Sequence, residues 1–157
     1  MKRIILSFLA AVLLFAGCAK YSEVDINDIK IGKVKMLTAK EIDIQFKANV
    51  DNPTGTAFEV LSIDGVMFRN GVKFATVQML DKAVVPAASS GDVVLKCRLS
   101  LEDHLAALAF GLNLASLNSD DFTVDLTATV KGGIMKKSFR YKDVPISQLL
   151  KQFDVKL

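Results

Sequence analysis

One histidine and two cysteines occur in the 157 residues, with no tryptophan, and this scarcity sets aside several chemistries. With His104 alone, a histidine-based metal cluster has no second imidazole, and a Cys–His nucleophile has little to be built from. His104 lies just after Ser100, in the first turn of a predicted helix, where a solvated or capping role suits it. Paired acids are also lacking. Glu102-Asp103 and Asp120-Asp121 are neighbours in sequence, and adjacent residues on a strand or helix point in different directions. Asp25, Asn27 and Asp28 lack the glycine and the distal glutamate of an EF-hand calcium loop. No internal repeat or low-complexity tract is present. These absences lead to the expectation of no enzyme activity, no cofactor and no metal.

The first twenty residues, MKRIILSFLAAVLLFAGCAK, have three parts. Lys2 and Arg3 give a positive start, and Ile4 to Ala16 is apolar apart from Ser7. That run is shorter than the roughly 18 to 20 apolar residues that span a bilayer comfortably, so a cleaved signal is expected rather than a permanent span. Phe15, Ala16, Gly17 and Cys18 resemble the lipobox of bacterial lipoproteins, with Phe15 where that family most often has leucine. The resemblance implies signal-peptidase recognition of Phe15, Ala16 and Gly17, then diacylglycerol on the Cys18 thiol and usually acylation of its new amino group. Several acyl chains on one residue would hold a protein on a membrane durably, whereas one chain binds marginally. Ala19 follows the cysteine. The absence of aspartate there resembles outer-membrane sorting, which implies a periplasm-facing anchor.

Removal of residues 1–17 would take the formal charge from +3 to +1. A near-neutral chain lacks the concentrated Lys and Arg with which nucleic-acid binders neutralise phosphates, so no nucleic-acid partner is expected. With Cys18 acylated, only Cys97 remains and no intramolecular disulfide can form. The expected organisation is a signal peptide over 1–17, a lipidated cysteine and polar tether over 18–28, and one domain over 29–157.

Beyond Ile29 the apolar residues recur with period 2, the signature of strands with one buried face. Ile42, Ile44, Phe46, Ala48 and Val50 alternate with polar residues, as do Phe122, Val124, Leu126, Ala128 and Val130. Val93, Leu95, Cys97, Leu99 and Leu101 form a third such face, which makes Cys97 a small buried hydrophobe. Such alternation favours antiparallel sheets. Asn52-Pro53-Thr54-Gly55 ends one strand, Asn70-Gly71 predicts a two-residue hairpin, and Lys131-Gly132-Gly133 predicts another. Near Gly32 the apolar phase slips, which a bulge explains. Leu101, Leu105, Leu108, Leu112 and Ala115 recur instead at helical spacing, and Ser147 to Phe153 is a short helix by the same reasoning. The expected fold is an antiparallel β-sandwich with one inserted helix.

The order of these features resembles the LEA type 2 family, also called the LEA14 or WHy (water stress and hypersensitive response) domain. Ile42 to Leu101 carries the resemblance: a strand ending in Asn52-Pro53, a strand leading into the Asn70-Gly71 hairpin, then Pro86 ahead of another strand. The resemblance implies an immunoglobulin- or fibronectin-III-like sandwich without catalytic machinery, and a link to desiccation or stress.

Two surfaces are candidates for contacts. Phe110, Leu114 and Leu117 lie off the main apolar stripe of the 102–117 helix and would form a patch for an envelope protein or lipid partner if exposed. Lys136, Lys137, Arg140 and Lys142 cluster on the last hairpin, where they either guard a solvated sheet edge or meet anionic headgroups. The leading expectation is a membrane-anchored, non-catalytic binding or structural module. The alternative is a carrier of lipid or another apolar ligand, with helix 102–117 as its lid.

Overall fold

The structure, a computed structural model, describes residues 23–102 and 118–152. Eight antiparallel strands make up most of it: β1 (Asp25–Met36), β2 (Glu41–Asn52), β3 (Phe58–Arg69), β4 (Val72–Met79), β5 (Ala83–Val85), β6 (Ser89–Leu101), β7 (Phe122–Gly132) and β8 (Met135–Pro145). One short helix, Ile146–Gln152, follows. The mainly-β, antiparallel architecture expected from the alternation is the one observed.

The strands form one continuous sheet in the order β1-β2-β6-β4-β3-β7-β8, with β5 added against β3. The sheet nevertheless buries a two-sided core, because it folds over at β4. Ala75 to Met79 of β4 pair with Leu101 to Cys97 of β6, while Val72 to Gln78 pair with β3. A strand shared in this way turns the corner between two layers. Beyond β4 the layers part. Phe58 to Val60 of β3 pair with β5 rather than β4, and the first half of β6 pairs with β2.

Each end therefore has its own core. At the joined end, Ile42, Phe74, Ala75, Leu99, Leu101 and Phe122 pack together, with Phe74 and Phe122 edge to face at 5.2 Å, a favoured aromatic geometry. At the parted end, Ala48 and Val50 of β2 meet Phe58 of β3 and Val85 of β5, with Val24, Ile29, Val93 and Val130 around them. β2 and β3 are not hydrogen-bonded neighbours, so this contact is made across the layers.

The local chemistry explains the elements. The inward phase of β2 follows its apolar alternation, and Cys97 is buried and free, in phase with Leu99. Burial pushes the Cys97 thiol up to about 11. Asn70 and Gly71 both have positive φ, 49° and 81°, as a type I′ hairpin requires. The slip near Gly32 is a register shift between Ile31 and Val34. Two details depart from the sequence expectation. Asp25 to Asp28, expected as tether, form the first rungs of β1, with Asp25 opposite Asp51 and a shift around Asn27. Ladder hydrogen bonds need no apolar side chain, so an edge strand can start before its alternation does. The last turn falls on Gly133 and Ile134, because Gly132 remains in the ladder opposite Phe58 and Met135. β8 continues to Pro145 past a shift between Val124 and Leu126 of β7, where Asp143 has φ 53° and its N–H donates to the Asp125 carboxylate at 2.8 Å.

Candidate functional site

The parted end of the sandwich gathers the features that distinguish this chain. Its centre is Asn52, the last residue of β2, which continues the inward phase of Ile42, Ala48 and Val50 and is wholly buried at 0% exposure. The Asn52 side-chain amide donates to the carbonyl oxygens of Thr56 at 2.9 Å and Pro86 at 2.8 Å. Its oxygen accepts from the Thr54 backbone N–H at 3.1 Å and the Thr54 hydroxyl at 2.7 Å. The Thr54 carbonyl in turn accepts from Ala88 N–H at 2.8 Å. One side chain thus ties the β2–β3 loop to the β5–β6 loop where no backbone ladder joins the layers. Pro53 assists, since it has no N–H to leave unpaired in the turn. The Asn-Pro pair and Pro86, far apart in sequence, belong to one hydrogen-bonded staple.

The same end carries the β7–β8 hairpin tip. Gly133 has φ 59°, which suits the first corner of a two-residue turn. Ile134 at the second corner is 97% exposed, and Met135 beside it is 47% exposed. Lys131 and Lys136 face each other across the hairpin, and Lys137 is opposite Val130. The Lys137 ammonium lies 5.4 Å from the Phe139 ring centroid, within cation–π range. A shallow groove of about 460 Å³ runs beside the tip, lined by Thr56, Phe58, Glu59, Val84 and Lys131.

The outer face of the β1-β2-β6 layer is a lattice of paired charges. Arg98 forks onto Asp43, at 2.8 Å from Nε and 3.1 Å from Nη2; this guanidinium holds the Asp43 carboxyl below the ordinary carboxylate range. Lys47 meets Asp92 at 2.9 Å, and Asn49 donates to the same carboxylate at 3.1 Å. Together they lower the Asp92 pKa. In the register, Arg98 is opposite Gln78, Gln78 opposite Asp64, Asp64 opposite Thr127, and Thr127 opposite Arg140. A polar row therefore crosses the whole sheet. Asp64, Gln78, Thr127 and Arg140 line a second groove of about 580 Å³ along it.

Of the residues singled out by sequence, Phe15, Ala16, Gly17 and Cys18 lie outside the described residues, as do His104, Phe110, Leu114 and Leu117. The flanks of 103–117 are described: Glu102 N–H bonds the Phe74 carbonyl, and Asn118 precedes the turn leading to Phe122. Both flanks belong to the joined end. Glu102 pairs with Lys73 at 2.8 Å, and Asp120 and Asp121 occupy a turn capped by Asn118. The basic residues of the last hairpin do not form one cluster. Lys136 and Lys137 are near its tip, whereas Arg140 and Lys142 are farther along the edge strand. Sequence reasoning overlooked Asn52 as a buried anchor and Ile134 as an exposed one. Asn52 was signalled, as a polar residue in an inward phase; Ile134 was not, because its place at the turn follows from the pairing of Gly132 with Met135.

Comparison with protein-family models finds no match, and comparison with curated proteins finds none. Among solved structures, the chain is similar to a protein from Archaeoglobus fulgidus, at 18% identity and a TM-score of 0.47, over 75% of this chain and 98% of that one. It is also similar to the yeast GGA1 GAE domain, at 7% identity and a TM-score of 0.35, over 75% and 94%. A candidate late embryogenesis abundant (LEA) protein, solved in solution, is similar at 14% identity and a TM-score of 0.34, over 91% and 88%.

Proposed function

We propose that this protein is a lipoprotein of the cell envelope, tethered through lipid on Cys18, whose LEA type 2-like sandwich is a non-catalytic binding or structural module. The observation that carries the reading is the closeness of the lipobox-like cysteine to the folded domain. Val24 packs against the parted-end core, and Cys18 precedes Glu23 by five residues. A chain of that length reaches roughly 17 Å at full extension. A lipid on Cys18 would hold the Asn52 end of the sandwich against the bilayer. The joined end, with the flanks of 103–117, would then face away; β2 alone extends roughly 36 Å between the two.

The family resemblance, with its Asn52-Pro53 and Pro86, supports the module reading. A motif whose residues close a sandwich end makes a scaffold, and function on a scaffold is set by what the surface meets. Stress protection in the envelope is the biological setting that the resemblance suggests. An outer-membrane, periplasm-facing location follows the Ala19 reasoning.

The test is membrane fractionation of cells producing the full chain and its Cys18→Ala variant. The account expects wild type with the membranes, resistant to salt and carbonate, and the variant no longer processed to the lipidated form. Wild type released by carbonate, or a Cys18→Ala variant processed as wild type is, would end the anchoring proposal. A photoreactive residue at Phe110 in intact cells then tests the partner expectation: a discrete protein adduct supports a docking module, and an acyl-lipid adduct supports the carrier alternative.

A further inference from the structure

We infer that the β7–β8 hairpin tip is a second, non-covalent membrane contact: Ile134 and Met135 enter the outer part of an anionic phospholipid bilayer while Lys131, Lys136 and Lys137 meet its phosphates. The inference rests on the anchoring proposed above, and it fixes which corner of the domain touches the membrane. Three independent observations converge on the tip.

The first is position. Val24 shares a core cluster with Phe58 and Val130, and Phe58 is opposite Gly132 in the ladder. The start of the described chain and the hairpin tip are therefore at the same end of the sandwich. A tether of five residues cannot carry that end far from the lipid it hangs on.

The second is chemistry at the turn. Two-residue hairpin corners usually hold Gly, Asn, Asp or Ser. Here Ile134 occupies the corner, 97% exposed, followed by the half-exposed Met135. Val84 on β5, also exposed, lines the groove beside Gly133. An isoleucine held in water at a turn corner contributes no burial to the fold. It gains from burial in an apolar phase.

The third is charge. Lys131 and Lys136 flank the tip across the ladder, with Lys137 next to them. Basic residues at a bilayer surface are attracted by anionic headgroups. One acid stands beside the tip: Glu59, opposite Lys131 in the ladder, is also 3.8 Å from Lys82, so the lysines outnumber it, and Asp25 and Asp51 belong to the β1–β2 corner. The domain is thereby asymmetric at its proximal end, and the basic, apolar corner is the one that faces lipid.

The test uses the full-length protein, extracted from membranes and reconstituted into vesicles of phosphatidylethanolamine with phosphatidylglycerol. In a Cys97→Ala background, an environment-sensitive fluorophore is placed by Ile134→Cys or, as control, Val72→Cys. Val72 is 70% exposed and belongs to the Asn70-Gly71 hairpin at the joined end, so neither change disturbs the core. Flotation reports anchoring, and quenching by nitroxide-labelled acyl chains reports contact at the tip. The expected result is flotation of both, with the label at 134 blue-shifted and quenched at least about threefold more than at 72. Lys131→Glu with Lys136→Glu, or 1 M salt, should reduce that quenching without reducing flotation. Floating protein in which 134 is no more quenched than 72 overturns the inference and leaves the anchor standing. Protein that stays at the bottom of the gradient overturns the anchor and the inference with it.

Discussion

Replacing Asn52 by alanine should be among the most damaging single substitutions in the chain. The side chain makes four hydrogen bonds: two donated, to Thr56 and Pro86 carbonyls, and two accepted, from the Thr54 N–H and hydroxyl. At about 1 kcal/mol net for each buried bond, their loss amounts to about 3–4 kcal/mol, since water cannot easily replace a partner at a closed site. A domain of this size with ordinary stability would lose a large fraction of it. The assay is urea unfolding of the chain beginning at Ala19, followed by circular dichroism. With a slope of about 2 kcal/mol per M, the midpoint should fall by about 1.5–2 M. Asn52→Asp sharpens the test. Its carboxylate can still accept from Thr54 but is directed at two carbonyl oxygens, so its folded pKa is raised above the unfolded value near 4. A raised acid pKa means that the folded state binds the proton more tightly, so stability is lost as pH rises and recovered as pH falls. The deficit of Asn52→Asp should therefore be larger at pH 7 than at pH 4.5. A fall of less than about 1 kcal/mol for Asn52→Ala, or a pH-independent aspartate deficit, would refute the staple.

Other consequences follow from local geometry. Gly65→Ala should destabilise by about 1–3 kcal/mol through overpacking, because a Cβ there meets Leu126 Cδ1 at 3.1 Å and the Asp125 carbonyl at 3.3 Å; differential scanning calorimetry reads it. Cys97, buried with its thiol pushed up to about 11, should resist thiol reagents at pH 8 in the native chain and react fully in denaturant. Asp43 and Asp92 have folded pKa values below the ordinary one, so their contribution is present above about pH 4 and lost as pH falls through the depressed values. Asp43→Asn should accordingly show a shallower acid loss of stability than the native chain.

Much of the fold was legible because period-2 alternation is a local property. The faces of Ile42 to Val50, Phe122 to Val130 and Val93 to Leu101, the Asn70-Gly71 turn and the bulge near Gly32 all follow from neighbouring residues. The fold-over at β4 was not legible, because nothing local shows that Val72 to Met79 changes partner between β3 and β6. The role of Asn52-Pro53 was visible as a strand ending but not as a bridge to Pro86, which depends on a contact between residues 34 positions apart. The early start of β1 escaped for the opposite reason. Asp25 to Asp28 join the ladder through their backbone, while their side chains resemble those of a solvated linker. For the site, composition pointed to Lys136 and Lys137 but not to the end of the sandwich they occupy. That placement required the ladder that sets Phe58 beside Gly132 and the core that holds Val24.

The central claim, that the Asn52 end hangs on a lipid at Cys18, is tested most directly by the intact mass of the protein extracted from membranes. The account predicts a chain that begins at Cys18, lacks residues 1–17, and carries the mass of a diacylglycerol, with or without an amide-linked acyl chain. A membrane-extracted chain that retains Met1, begins at another residue, or carries no lipid would contradict it.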